Sequence, residues 1–286
     1  MTVKKKGIKP SADRLAVLAK IEEYERLGRF DRDVEDDPPG RTLRPEDVKY
    51  LDKSLKSRVK RGFSFASARL FFCRLLRQKK LYLNPTEGIE NLADVEGGAV
   101  ITCNHFHPYD SFIMQKVFDA SHRKGRMYRV IREGNYTSFP GFYGMLMRNC
   151  DTLPLSSDPA AMKLFLKATH RALDEGNCLL IYAEQSLWWR YRKPKPQKLG
   201  AFEIAVRRRV PVVPCFITFA DTEETDGEGF PVLAYTPHVG KPIYPDATLS
   251  KREAAEKMRA ESEAFCRATY ERVYGIPLVY TTEKVE

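Results

Sequence analysis

The nine residues CNHFHPYDS, 103–111, place two of the chain's five histidines, an asparagine and an aspartate directly after the apolar run GAVIT. A histidine and a carboxylate at close range can do acid–base chemistry. The carboxylate accepts the proton on one ring nitrogen and fixes the tautomer, which leaves the other nitrogen free to take a proton from a hydroxyl. His105 follows the expected strand AVITC, and the carboxyl ends of strands are where open α/β sheets bind ligands. Asp110 stands five residues on. Five helical positions turn through about 500°, so the two would not share a helix face. A bend at residues 106–109, which Pro108 favours, brings them together. No serine or cysteine nucleophile is then required, because the substrate hydroxyl attacks directly.

His105, His107 and Asp110 could also form a metal site. No further histidine-rich or carboxylate-rich motif completes the set, so no metal is expected. His107 reads as structural or solvent-facing.

The elements that must hold this loop are legible as an alternation of short apolar runs and helical stretches. GAVITCN (98–104), MYRVIRE (127–133), NCLLIYAE (177–184) and VPVVPCFITFA (210–220) read as strands. DPAAMKLFLKATHRALDEG reads as a helix, with Met162, Phe165, Leu166, Thr169 and Leu173 near helical spacing. The fold class is α/β, with a mixed, mostly parallel central sheet flanked by helices and an N-terminal helical segment able to associate with a membrane. TDGEGFPVLAYTPHVGKPIYP adds a turn and a strand. Ser250 and Glu253 are spaced for a capping box on a final helix.

Residues 1–80 form a charged, helical N-terminal region and residues 81–286 the α/β domain with the C-terminal helix. A first helix is expected over residues 11–27, stopped by Gly28, then a loop DRDVEDDPPG and a polar helix RPEDVKYLDKSLKSRVKR. Within the region, residues 53–80 carry basic ends, KSLKSRVKR and RQKK, around Phe63, Phe65, Leu70, Phe71, Phe72, Leu75 and Leu76. That composition suits an amphipathic helix lying on an anionic membrane. It suits equally a helix docked on the core of its own protein. FSFASARLFFCRLL contains two arginines and is too short to cross a bilayer.

NHFHPYD, residues 104–110, resembles the NHxxxxD motif of the glycerolipid acyltransferases, the group of glycerol-3-phosphate and lysophosphatidate acyltransferases. SFPGFYGMLMRNCDTLPLS (138–156), YAEQS (182–186) and VPVVP (210–214) are similar to that family's second, third and fourth blocks, in order, over about residues 81–245. The resemblance implies His105 as general base and Asp110 as the group that orients it. Asn104, Glu184, Gln185 and Ser186 are expected on the substrate side of the site, with Glu184 either binding an acceptor hydroxyl or headgroup or holding the loops of the site together. The chain departs from the family in two places. Gln185 stands where a glycine usually follows the glutamate, and Ser156 and Ser157 stand where the second block often ends in an arginine that contacts the acceptor phosphate. WWRYRKPKPQKLGAF (188–202) offers substitutes in Arg190, Arg192, Lys193 and Lys198, with Lys195 among them, since arginine can hold a phosphate bidentately. Trp188 and Trp189 fit either a membrane interface or a position under that loop.

The resemblance implies transfer of an acyl group from a thioester, on coenzyme A or an acyl carrier protein, to the hydroxyl of a lysophospholipid, by default 1-acylglycerol-3-phosphate. A lyso-aminolipid is the alternative acceptor. The carrier thioester is a substrate, and no cofactor is expected. The oxyanion formed on the way needs donors, expected among backbone N–H groups near the motif. A thioesterase or lipid hydrolase is the enzymatic rival, although no G-x-S-x-G elbow is present.

A formal charge of +10 points to an anionic partner. The aromatics cluster in apolar segments, not among lysines along a strand, which disfavours a nucleic-acid-binding module. A basic, non-catalytic membrane protein remains the non-enzyme alternative. Six widely spaced cysteines form no C-x-x-C pair and read as buried free thiols of a reducing compartment. MTVKKKG is followed by charged sequence, unlike a secretory signal. The expected location is cytoplasmic, peripheral on the inner face of the cell membrane.

Overall fold

The computed structural model describes residues 9–35 and 40–283. MTVKKKG and residues 36–39 of the expected loop lie outside the described residues. Helices α1 (Ala12–Arg26) and α2 (Leu55–Arg77) precede strand β1 (Tyr82–Leu83) and the single turn α3 (Glu90–Ala93). Then follow β2 (Ala99–Thr102), α4 (Asp110–Ala120), β3 (Met127–Ile131), α5 (Glu133–Ser138), α6 (Gly141–Asn149), β4 (Thr152–Pro154) and α7 (Pro159–Asp174). The chain continues through β5 (Cys178–Ile181), α8 (Gly200–Arg208), β6 (Val212–Thr225), β7 (Pro231–Val239) and α9 (Lys251–Tyr274).

The strands form one sheet in the order β1-β7-β6-β2-β5-β3-β4. β6, β2, β5, β3 and β4 run parallel, and the β6–β7 pair is antiparallel. The mixed, mostly parallel sheet expected from the sequence is therefore present. β2 lies between β5 and β6 with all four residues buried, as a continuous apolar run in a covered parallel sheet should be. Residues 103–105 consequently leave from the middle of the sheet's carboxyl edge.

Strand alternation divides the core into two layers. Ala99, Ile101, Leu180 and Met127 pack with α2 and α4. Val100, Leu179, Tyr128 and Leu153 pack with α7, α8 and α9. The capping box on α9 forms as expected, with Ser250 Oγ accepting from Glu253 N and the Glu253 carboxylate accepting from Ser250 N.

The expected polar helix over 44–61 does not form as a separate element. Pro45–Asp47 make a short 3₁₀ turn, Leu51 takes φ 53°, and Ser54 accepts from Ser57 N to start a single helix at Leu55. That helix, α2, buries Ser64, Ala68, Phe72 and Leu75 against the core. Its opposite face leaves Leu55, Val59, Phe63 and Leu70 between 64% and 74% exposed. Of the two expected uses the structure shows docking on the core; the other face is an exposed apolar stripe. Among the described residues no helix is long and apolar enough to cross a membrane.

The N-terminal segment is tied to the loop after β5. Glu25 is buried and accepts from Lys193 Nζ (2.6 Å), Tyr191 OH (2.9 Å) and Thr281 N (2.8 Å). Burial alone would raise its carboxyl, but these bonds hold it below its ordinary value. The Trp188 indole donates to Arg32 O and stacks on Phe30. Both tryptophans are buried, so they act as packing beneath the loop.

Candidate active site

Four hydrogen bonds, two from the Asn104 side chain and two from backbone carbonyls, hold the loop that leaves β2. Asn104 uses its side-chain amide as a surrogate strand residue: Oδ1 accepts from Ile217 N (2.8 Å) and Nδ2 donates to Ile217 O (3.0 Å). His105 O accepts from Trp188 N, and Phe106 O accepts from Arg190 N. The bend at residues 106–109 follows, and α4 opens at Asp110.

His105 Nδ1 lies 3.0 Å from Asp110 Oδ2. The same carboxylate oxygen accepts from Phe106 N (2.8 Å) and His107 N (3.0 Å), which fixes it under the ring. Burial pushes the fully enclosed Asp110 carboxyl above its ordinary value, opposed by His105 and these two amides. The imidazole stacks on Tyr182, with centroids 4.1 Å apart and planes at 19°, and Tyr182 OH meets Ser111 Oγ at 3.1 Å. With Nδ1 held by Asp110, Nε2 is the atom available to a substrate proton.

His107 is half-buried, and its contacts fit the structural one of its two expected roles. Its Nδ1 accepts from Tyr109 N, its ring sits between Tyr109 and Tyr235, and burial pushes it down to about 3.

The backbone donors expected near the motif are already engaged. Phe106 N and His107 N serve Asp110, and His105 N points at Glu184 Oε2 (3.4 Å). Any oxyanion donor therefore comes from outside residues 105–107.

In the third block Tyr182, Ala183 and Gln185 line the cavity beside His105, whereas Glu184 and Ser186 do not. Gln185 carries the departure from the family pattern. It takes φ 70°, a left-handed conformation in which glycine is free of steric cost, so the glycine replacement leaves local strain of about 1 kcal/mol. Glu184 is buried beneath, with Oε1 accepting from Lys195 N (2.9 Å). Lys195, also buried, donates from Nζ to Ser186 O (2.5 Å) and Ser186 Oγ (2.9 Å), and its ammonium sits over Trp188. Burial raises the Glu184 carboxyl and lowers the Lys195 ammonium, while each favours the charge on the other. Glu184, Ser186 and Lys195 form an internal clamp that shapes the loop.

The basic loop is neutralised locally. Arg190 and Arg192 bind the two oxygens of Asp221, Lys193 binds Glu25, and Lys198 binds Asp31. Of these four cations only Lys198 reaches the cavity wall. Ser156 and Ser157, in the place of the expected arginine, bond the Glu133 carboxylate.

The cavity at His105 has a volume of about 1120 Å³ and extends to both faces of the sheet. On the α7/α8 face its wall is apolar, with Val130, Leu155, Met162, Phe165, Ile181 and Ile204. On the α2/α4/α6 face Phe65, Phe72, Leu146 and Cys150 stand opposite Ser111, Gln115 and Arg129. Sequence reading missed Arg129; the signal was a charged residue inside the otherwise apolar run MYRVI. Among the described residues no three His, Cys, Asp or Glu side chains stand close enough to hold a metal.

Residues 85–218, just under half of the chain, match the family model described as Acyltransferase, and they include the His105–Asp110 pair and Glu184. The protein thus has an acyltransferase-type fold. It is similar to the crystal structure of the 1-acyl-sn-glycerophosphate (LPA) acyltransferase PlsC from Thermotoga maritima, with a TM-score of 0.52 and 17% identity over 80% of this chain and 86% of that chain. At that identity the likeness is one of fold. The pilus retraction motor PilT with bound ADP overlaps at a TM-score of 0.34 and 10% identity over 70% of this chain and 63% of that chain, too little to bear on function. No curated protein sequence matches the chain.

Proposed function

We propose that the protein is an acyltransferase that moves a fatty acyl group from a thioester, on coenzyme A or an acyl carrier protein, to the hydroxyl of a lyso-lipid. The observation that carries this reading is the His105–Asp110 pair at the wall of the large, part-apolar cavity. His105 Nε2 takes the hydroxyl proton as the oxygen attacks the thioester carbonyl. Asp110 stabilises the imidazolium that results. The tetrahedral intermediate collapses by breaking the C–S bond, and the leaving thiolate recovers the proton from His105. The chain's residues supply the base, its orientation and the cavity, and the oxyanion needs in addition a donor from outside residues 105–107.

The apolar wall between α7 and α8 suits an acyl chain. Gln185 and Lys198, at the cavity, are the members of the expected substrate-binding set that we retain for contact with substrate; Asn104, Glu184, Ser186, Arg190, Arg192 and Lys193 support the loops instead. The exposed stripe Leu55, Val59, Phe63 and Leu70, flanked by Lys56, Lys60 and Arg74, suits docking on an anionic membrane. Phe71 of the same helix touches Phe142 and Tyr143, and Tyr143 lines the cavity, so a lipid drawn from that surface has a short path to His105. The default acceptor is 1-acylglycerol-3-phosphate, with a lyso-aminolipid as the alternative.

The test is mass spectrometry of products after the purified protein receives mixed lyso-lipids with each acyl carrier. A diacyl product that requires both substrates is expected. Free fatty acid as the main product, with or without acceptor, would replace transfer by hydrolysis.

A further inference from the structure

Arg129 is buried inside the cavity wall, at 7% exposure, yet no carboxylate bonds it among the described residues. Its guanidinium donates from Nη1 to the carbonyls of Met127 and Cys150 and from Nη2 to the Gln115 side-chain oxygen, all uncharged acceptors. A guanidinium has five N–H donors in a flat fork, so Nε–H and one Nη2 proton remain for a ligand. A buried charge with neutral partners alone is costly, and an oxyanion arriving from the cavity would complete it.

The neighbouring charges give the ligand its sign. On this face of the cavity Arg69 faces Asp119 at 3.8 Å, while Lys116 and Arg129 have no carboxylate partner among the described residues. Asp151, close behind the wall, is held by Arg61 at 2.7 Å. On the opposite face the cations are already matched: Arg132 binds Asp33, Lys198 binds Asp31 and Arg207 faces Glu203. The positions where an arginine is expected by resemblance hold Ser156 and Ser157.

We propose that Arg129, oriented by Gln115, seats a phosphate group of the substrate on the α2/α4/α6 face of the cavity. The inference rests on the acyl-transfer reading for its substrates, and the phosphate belongs either to the lipid acceptor or to the donor's phosphopantetheine arm. The fork of Arg129 supplies two parallel N–H donors, and Lys116 adds positive charge on the same face.

The test compares kcat and KM of wild type and Arg129→Gln with four substrates: 1-acylglycerol-3-phosphate, the matching monoacylglycerol, acyl-CoA, and the acyl thioester of N-acetylcysteamine, which lacks phosphate. The expected result is a loss of about 30-fold in kcat/KM, carried by KM, for one phosphate-bearing substrate, with less than about threefold for its phosphate-free partner. Loss confined to the lysophosphatidate pair assigns the phosphate to the acceptor, and loss confined to the CoA pair assigns it to the donor. Equal loss on all four substrates, or none, overturns the proposal and leaves Arg129 as a cap on the Cys150 carbonyl. Should Arg129→Gln not fold, Gln115→Met leaves both carbonyl bonds of Arg129 in place and should raise the same KM about threefold. Equilibrium binding of fluorescent lysophosphatidate and monoacylglycerol analogues is read in parallel. Preferential, Arg129-dependent phosphate binding without any turnover would keep this site while ending the transferase reading; absence of that preference alongside normal turnover would do the reverse if the CoA pair also shows none.

Discussion

The two sides of the cavity differ in chemistry although one sheet builds both. The α7/α8 side is lined by aliphatic and aromatic side chains, and its rim cations are each matched by a carboxylate. The α2/α4/α6 side combines Phe65 and Leu146 with Ser111, Gln115 and a buried arginine. Strand alternation creates the contrast: Val130 faces one side and Arg129 the other. An acyl chain gains from the first environment alone, whereas a polar or charged group loses its hydration there without replacement. One cavity can therefore sort the two ends of an amphiphile, with His105 between them.

The loop that joins the sides depends on the buried Glu184–Lys195 clamp. Replacing Glu184 by Gln leaves an ammonium buried beside Ser186 without its counter-charge. Stability should fall by about 3 kcal/mol, read as a lower denaturant midpoint with unchanged slope. Turnover should fall for all substrates alike, since the clamp serves both sides; a change in substrate preference would break the comparison.

The proposed docking of α2 on a membrane can be tested apart from the chemistry. Changing Leu55, Val59, Phe63 and Leu70 together to Ser should weaken binding to anionic vesicles about a hundredfold, because each exposed side chain forfeits transfer into lipid. Turnover of a soluble short-chain acceptor should stay near wild type. Undiminished vesicle binding would remove α2 as the docking face.

Ile204→Trp narrows only the apolar side. It should reduce turnover of long-chain donors about tenfold while short chains are spared. A uniform loss across chain lengths would place the acyl chain elsewhere.

The smallest effect concerns pH. The His107 ring titrates near 3 when folded, against an ordinary value of 6.5, because burial disfavours its charged form. Below about pH 6.5 the unfolded chain takes up a proton that the folded ring refuses, so stability present above that pH is lost as pH falls towards 3. Between pH 7 and 6 the loss should be about 0.7 kcal/mol and smaller in His107→Gln, checked by denaturation at both pH values. An identical slope in the variant would show that this ring is not the source.

The sheet was legible because its buried strands are uninterrupted apolar runs between turns, and the His105–Asp110 pair because Pro108 signals the bend that closes it. The cations at Arg190, Arg192 and Lys193 were visible as a cluster, but their carboxylate partners at Asp221 and Glu25 are distant in sequence and adjacent only after folding. The same holds for α1 and residues 28–35, which cover the loop through Glu25 and Trp188. The separate polar helix over 44–61 failed because local charge patterning outweighed the stop at Leu51 and the cap at Ser54 in that reading.

The most direct measurement is acyl transfer by His105→Ala, with its melting temperature recorded beside wild type and the diacyl product quantified by mass spectrometry. The account predicts an intact fold, unchanged vesicle binding and a loss of turnover of about a thousandfold. Turnover within tenfold of wild type in a folded His105→Ala protein would contradict it.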